Sequence, residues 1–254
     1  LRRLYEGDVV SEQAGMLRCK VRFSTLGRHL FVHSAFPTTD RQAVFFGPDT
    51  YRFVSFVRRE LASPWIHPVE TLCDIGCGTG AGGILAADAL GRRVLRDAVL
   101  SDINPLAVAF SRTNVEINGV PGVHCVRADG LAEGGRFFDL ILSNPPYMMD
   151  AARRTYCHGG TEAGTEVSLR FLQAGLAHLA PGGRLLLYTG TPVVQGQDLF
   201  QRAAREILEA AQLRYDYTEL DPDVFGEDLA RPEYAAVDRI AVIGLVVRRP
   251  GGCL

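Results

Sequence analysis

The stretch Cys73-Asp74-Ile75-Gly76-Cys77-Gly78-Thr79-Gly80 decides the fold. It follows a short apolar run, Thr71–Ile75, and precedes an alanine-rich stretch, Ala81–Leu90, so the order reads strand, glycine turn, helix. Glycine is needed where a chain turns sharply and where a ligand approaches the backbone with no Cβ in the way. At the carboxyl end of a first strand such a turn opens a ligand crevice. Gly76, Gly78 and Ala81 also satisfy the GxGxxG/A spacing of dinucleotide sites, so the glycines alone do not choose the ligand.

Outward from this loop, β-rich runs alternate with helical ones. Ala98–Ile103 reads as a second strand and Pro105–Ile117 as a helix, with Asn104 as its cap and proline in its first turn. Val123–Ala128 and Phe138–Ser143 read as the third and fourth strands, and Thr165–Leu179 as a helix stopped by Pro181-Gly182-Gly183. Arg184–Thr189 is a fifth strand and Asp198–Ala211 another helix. Leu213–Leu220 and Arg239–Arg248 have no clear helix between them, which predicts an antiparallel pair at the sheet's end. Near-continuous apolar strands alternating with helices predict an α/β fold: a Rossmann-like, mostly parallel, doubly wound sheet of seven strands. Residues 1–62 read as a small N-terminal α+β extension, with a hairpin (Leu17–Phe23 and His29–His33) and an amphipathic helix (Asp49–Leu61). Residues 63–254 form the main domain.

Composition narrows the class. The chain is 47% hydrophobic and 22% charged, ordinary for a globular domain. No apolar run nears the roughly 18 to 20 residues that span a bilayer, and no signal-peptide pattern opens the chain, so a cytoplasmic protein without a membrane partner is expected. The six cysteines include no CxxC pair, and no metal site is expected. A net charge of −2 argues against a strongly electrostatic nucleic-acid binder. Residues 1–60, however, hold ten Lys and Arg against six Asp and Glu, and residues 61–254 seventeen against twenty-three, so the N-terminal part could face an anionic partner.

Two carboxylates bear on the ligand. Asp74, just before the glycines, is awkward beside a pyrophosphate and useful near a cationic amino-acid group. Asp102 ends the second strand, where it can accept hydrogen bonds from both ribose hydroxyls. Asp74–Gly80 (DIGCGTG) resembles the first motif of the class I S-adenosylmethionine-dependent methyltransferases, and Ser101–Pro105 (SDINP) resembles the second. Ala128–Gly130 (ADG) resembles the position whose acid contacts the adenine amino group. The resemblance covers roughly residues 70–190 and implies S-adenosylmethionine as cofactor, held by Asp74, Gly76, Gly78, Gly80, Asp102, Ile103, Asp129 and Asn144.

The fourth strand ends in Asn144-Pro145-Pro146-Tyr147. Two prolines stop the strand and stiffen the turn. Asn144 offers an amide oxygen, Pro145 a carbonyl and Tyr147 a flat face. An amide or aryl-amine nitrogen is a poor nucleophile because its lone pair is delocalised. Two acceptors on its N–H groups would favour pyramidalisation as the bond to methyl forms, and a stacked ring would hold it in line. The quartet resembles that of the HemK-type protein-glutamine methyltransferases and of the adenine-N6 and guanine-N2 methyltransferases of nucleic acid. That implies catalytic roles for Asn144, Pro145 and Tyr147.

Further segments are similar to the HemK type: Gly47-Pro48-Asp49-Thr50-Tyr51-Arg52, Gly159-Gly160 with Ser168-Leu169-Arg170, and Leu185–Gly190. The chain departs from that family where Gly47 and Tyr51 replace the Arg and Glu of its Arg-Pro-x-Thr-Glu motif. Residues 1–60 are also too short and strand-like for the helical domain that engages release factors. The expected activity is N-methylation of a protein glutamine amide or similar group, with the exocyclic amine of an rRNA or tRNA base as the alternative. The partner, protein or RNA, stays undecided. A non-catalytic S-adenosylmethionine-binding module is disfavoured by the intact quartet, and an NAD oxidoreductase rests on glycine spacing alone. Arg153-Arg154 could meet a phosphate or an acidic partner, while His158, Trp65 and His67 read as loop and packing residues.

Overall fold

The computed structural model describes residues 2–7, 9–65, 67–91, 93–131, 135–150, 154–160 and 164–251. The chain opens with a short helix, α1 (Arg2–Glu6), and two hairpins, β1 (Val10–Gln13) with β2 (Met16–Cys19) and β3 (Val21–Leu26) with β4 (His29–Ser34). Helix α2 (Pro48–Leu61) leads to β5 (Thr71–Ile75), α3 (Ala81–Leu90), β6 (Asp97–Asp102), α4 (Pro105–Asn118), β7 (Val123–Arg127) and β8 (Phe138–Ser143). Then come α5 (Glu166–Ala177), β9 (Leu179–Val194), β10 (Gln197–Asp198), α6 (Leu199–Ala210), β11 (Arg214–Asp221) and β12 (Arg239–Arg248).

The central sheet runs β11-β12-β9-β8-β5-β6-β7, with the two-residue β10 paired to β9. Strands β7, β6, β5, β8 and β9 are parallel neighbours, and β12 and β11 add an antiparallel edge. The expected seven-stranded, doubly wound sheet is therefore present. Strand order reverses beside β5, which puts a crevice at the carboxyl ends of β5, β6 and β8.

Both faces of the sheet are apolar because both are covered. In β8, Leu140 and Leu142 join the cluster under α2, α3 and α4, while Ile141 joins the one under α5 and α6. Helix α2 shares the first of these cores: Phe53, Val54, Phe56 and Val57 are all buried. Gly82 and Gly83 explain how closely α2 and β5 approach α3. A Cβ at 82 would meet the Phe53 ring, and one at 83 would lie 2.8 Å from Leu100 and 3.1 Å from Asp74. Glycine inside a helix costs about 1 kcal/mol against alanine, which this packing offsets.

The single hairpin expected over Leu17–Phe23 and His29–His33 is in fact two. The run expected as one strand breaks at Lys20, and its first part turns back onto Val10–Gln13 through Ala14-Gly15. Both turn residues have positive φ (52° and 74°), the conformation that suits a two-residue hairpin. Alanine there carries no turn signal, so the sequence conceals the bend. Strand β9 is also longer than the expected Arg184–Thr189. Its pairing with β8 jumps from Phe138↔Leu179 to Leu140↔Arg184, so Pro181-Gly182-Gly183 bulges out instead of separating helix from strand.

The second hairpin is fastened to α4 by two asparagines one turn apart. Asn114 Oδ1 accepts from Val32 N (2.7 Å), and its Nδ2 donates to Val32 O (3.1 Å) and Thr79 O (2.9 Å). Asn118 makes the matching pair with Leu30 (2.9 and 2.8 Å). The two amides thus act as a surrogate strand along the edge of β4. Asn114→Ala strands Val32 and Thr79 backbone groups in a fully buried place, at about 3 kcal/mol. For a chain of this size that lowers the melting temperature by roughly 6–10 °C, to be read by calorimetry. A shift under 2 °C would show that water replaces the amide.

Candidate active site

The glycine loop, the end of β6 and the Asn144–Tyr147 turn converge on one cleft of about 360 Å³. Gly76, Gly78 and Gly80 have φ of 68°, 56° and 78°, a left-handed run that only glycine adopts without strain. Nothing lies within 4 Å of a Cβ built on Gly78, so its backbone faces the cleft directly. Asp102 holds the loop in place: one carboxylate oxygen accepts from Gly78 N (2.9 Å) and the other from Asn104 N (2.8 Å). Each keeps a lone pair for a ligand hydroxyl. Asn104 caps α4 by accepting from Leu106 N, as its sequence position suggested. Ile103 is 51% exposed, and Asp129 is half exposed with an ion pair to Arg170 at 3.2 Å; both line the same end of the cleft.

Asp74 lines the cleft at 1% exposure and accepts from Gly83 N at 2.8 Å. Burial pushes its pKa up to about 7, the Gly83 bond opposes this, and nearby Asp102 adds to it. Asp102 is itself raised, mainly by burial. These carboxylates and open glycines suit a ligand with a cationic amino-acid end and a diol. The unfolded Asp74 has already lost its proton near pH 4, so the free protein loses stability as pH rises from about 4 to 7. A cationic ligand needs the ionised form. Its dissociation constant should therefore fall about 10-fold between pH 5.5 and 7.5, measured by calorimetric titration. A flat profile would remove Asp74 from the ligand's charge balance.

At the other end, β8 delivers Asn144 and the two prolines, and the Tyr147 ring packs against Gly190, where a Cβ would collide with it. The sequence reading missed Asp49, which comes from the first turn of α2. Its carboxylate accepts from Tyr147 Oη (2.9 Å), Tyr188 Oη (2.7 Å) and, at 3.5 Å, Asn144 Nδ2. Loss of water raises the Asp49 pKa, and these three donors oppose the rise. With Asn144 Nδ2 turned to a carboxylate, its Oδ1 is left for a bound group. Asp49 lies inside the Gly47–Arg52 stretch that resembles the HemK type, two positions before Tyr51. Tyr51 is 42% exposed and donates to Thr25 O, away from the cleft.

The segment between β4 and α2 is tied to both sides of the mouth. Gln42 O accepts from Asn104 Nδ2 (2.8 Å), Arg41 O from Thr155 Oγ1 (3.0 Å), and Thr38 O from Tyr156 Oη (2.9 Å). Phe45 stacks on Tyr156 at 5.9 Å, and both line the cleft with His158. Arg153 lies outside the described residues, and Arg154 is held by Asp150 at 2.8 and 2.9 Å. Trp65 is a packing residue, under the Arg184 guanidinium at 4.0 Å, and His67 sits against Gly182; neither lines the cleft. Among the described residues no three His, Cys, Asp or Glu are grouped to hold a metal, and no helix is long and apolar enough to cross a membrane.

Comparison with known proteins agrees with this architecture. Residues 60–212 match the model of the "Methyltransferase small domain" family. Ribosomal RNA small subunit methyltransferase C of Pseudomonas aeruginosa (strain LESB58) is 35% identical over 120 residues, 47% of this chain and 32% of that protein. Release factor glutamine methyltransferase of Cereibacter sphaeroides is 33% identical over 176 residues, 64% of this chain and 58% of that protein. The chain thus spans less than two thirds of the curated relatives it matches. Among solved structures, Trm5b from Pyrococcus abyssi superposes with a TM-score of 0.60 at 16% identity, over 94% of this chain and 62% of that one. TYW2 from M. jannaschii, in complex with AdoMet, gives 0.54 at 12% identity, over 92% and 90%. At such identities the likeness is one of fold. With the family model covering more than half of its length, the chain belongs to the methyltransferase small-domain family.

Proposed function

We propose that this chain is an S-adenosylmethionine-dependent methyltransferase that acts on the nitrogen of a planar primary amide carried by a protein. S-adenosylmethionine supplies an electrophilic methyl group when bound. Asp102 and Ile103 would take its ribose and adenine, Asp129 the adenine amino group, Asp74 the amino-acid end, and Gly76, Gly78 and Gly80 the open backbone. The observation carrying the reading is Asn144, whose amide nitrogen is turned to Asp49 and whose oxygen is thereby free for an acceptor N–H. Pro145 O supplies the second acceptor and Tyr147 the stacking face. Held by two acceptors, the nitrogen is drawn toward a pyramidal geometry, and no strong base is needed before the bond to methyl forms.

The protein amide is favoured over a nucleobase by the surface beside the acceptor end. Residues 219–238 carry seven acidic residues against one basic, and three residues of the stretch, Phe225, Asp228 and Arg231, line the cleft. A phosphate backbone brought to this rim meets repulsion. The nucleobase reading keeps two supports: the relatives named for ribosomal RNA, and the basic excess of residues 1–60. The test is transfer of radiolabelled methyl from S-adenosylmethionine into extract of cells lacking the gene, followed by digestion. Label released by protease and resistant to nuclease is expected. Label released by nuclease would replace the amide with a base.

A further inference from the structure

The loop between β11 and β12 contains two short 3₁₀ turns, Gly226–Ala230 and Pro232–Tyr234, and reaches back to the catalytic turn. Tyr234 is 2% exposed; its Oη accepts from Met149 N at 2.7 Å and donates to Met148 Sδ at 3.7 Å, two residues past Tyr147. Phe225 sits at the loop's entry with φ 57° and ψ 35°, a left-handed backbone that costs a bulky residue strain. It is held there from both sides: Val224 N donates to Ile240 O (2.8 Å) and Asp228 N to Phe225 O (2.8 Å). Strain kept at a cleft wall marks a side chain whose direction matters.

That direction is toward Tyr147. The two ring centroids are 6.3 Å apart with planes at 51°. Two rings clasping a flat group stand about 7 Å apart, twice a carbon contact of roughly 3.5 Å, so a small turn of Phe225 makes room for one. Phe225 also borders a second cavity of about 280 Å³, lined with it by Phe45, Pro48, Asp49, Arg52 and Asp223. Phe45, Asp49 and Phe225 line both cavities and form the partition between them.

We propose that Phe225 is a specificity-determining residue: with Tyr147 it forms an aromatic slot for the planar amide of the acceptor, whose aliphatic stem leaves through the second cavity. This rests on the reading of Asn144–Tyr147 as the acceptor site. The narrow separation and the acidic loop together select a carboxamide on a short stem over a nucleotide.

The probes are N-acetylglutaminamide and guanosine, at millimolar concentration, with protein loaded with S-adenosylhomocysteine; binding is followed by saturation-transfer NMR. The native protein should bind the amide more tightly than guanosine. Phe225→Leu and Phe225→Gly should weaken amide binding at least 5-fold, and Phe225→Tyr should stay within 2-fold of native. The glycine variant suits the left-handed backbone, so its loss of binding cannot be assigned to misfolding. Equal amide affinity in all variants, or none in the native protein, overturns the slot. Tighter guanosine binding overturns the carboxamide assignment. Turnover of Asn144→Ala, measured in parallel, tests the underlying reading separately: full turnover with Phe225-dependent amide binding would sink the catalytic roles and leave the slot.

Discussion

Asn144→Ala should lower methyl transfer by about 10²–10³-fold while leaving the S-adenosylmethionine dissociation constant within roughly 3-fold of native. The side-chain oxygen acts on an N–H that becomes more acidic as the new bond forms, so its contribution belongs to the transition state. Loss of such an interaction lowers kcat and kcat/KM together. Asn144 also touches Asp49, and alanine there leaves Tyr147 and Tyr188 still donating to the carboxylate, so the ring stays placed. Single-turnover rates and calorimetric binding on the same preparation separate the two quantities. A variant with weakened cofactor binding and normal single-turnover chemistry would move Asn144 from the acceptor to the cofactor.

Asp49→Asn is the second large effect expected, a loss on the order of 10²-fold in kcat with little change in melting temperature. The tyrosine hydroxyls still find an oxygen on the new amide. Its NH₂ group, however, confronts the NH₂ of Asn144 and favours rotating that amide, which presents a donor to the acceptor nitrogen. Misorientation by one atom is enough to lose the alignment that positioning supplies. In the native enzyme, activity should rise with pH as Asp49 ionises from its raised pKa, and this limb should vanish in the variant. Tyr188→Phe removes one donor and raises the Asp49 pKa further, so it should shift the limb to higher pH with only a few-fold loss at the plateau. An unchanged limb in both variants would show that another group titrates.

What the sequence determined by itself is local in the chain. The Asp74–Gly80 turn, the cap and proline at Asn104-Pro105, and the Asn144–Tyr147 quartet each complete their geometry within a few residues. Their order therefore announced the doubly wound sheet and the end of the cleft proposed for the cofactor. The apolar alternation of β8, with Leu140 and Leu142 to one side and Ile141 to the other, likewise predicted a sheet covered on both faces.

What only the tertiary structure decided depends on residues far apart in sequence. Asp49 reaches Asn144 across 95 positions because α2 packs on α3 at Gly82. Phe225 faces Tyr147 because β11 and β12 close the sheet and Tyr234 pins their loop to Met149. Asn114 and Asn118 look like ordinary helix residues until β4 lies beside them. Such contacts carry no periodicity or spacing that a single strand or helix could record. The proposed cofactor end is built from short motifs that follow successive strands, each legible in its own stretch of sequence. The acceptor end is assembled from three separate segments, and packing alone brings them together.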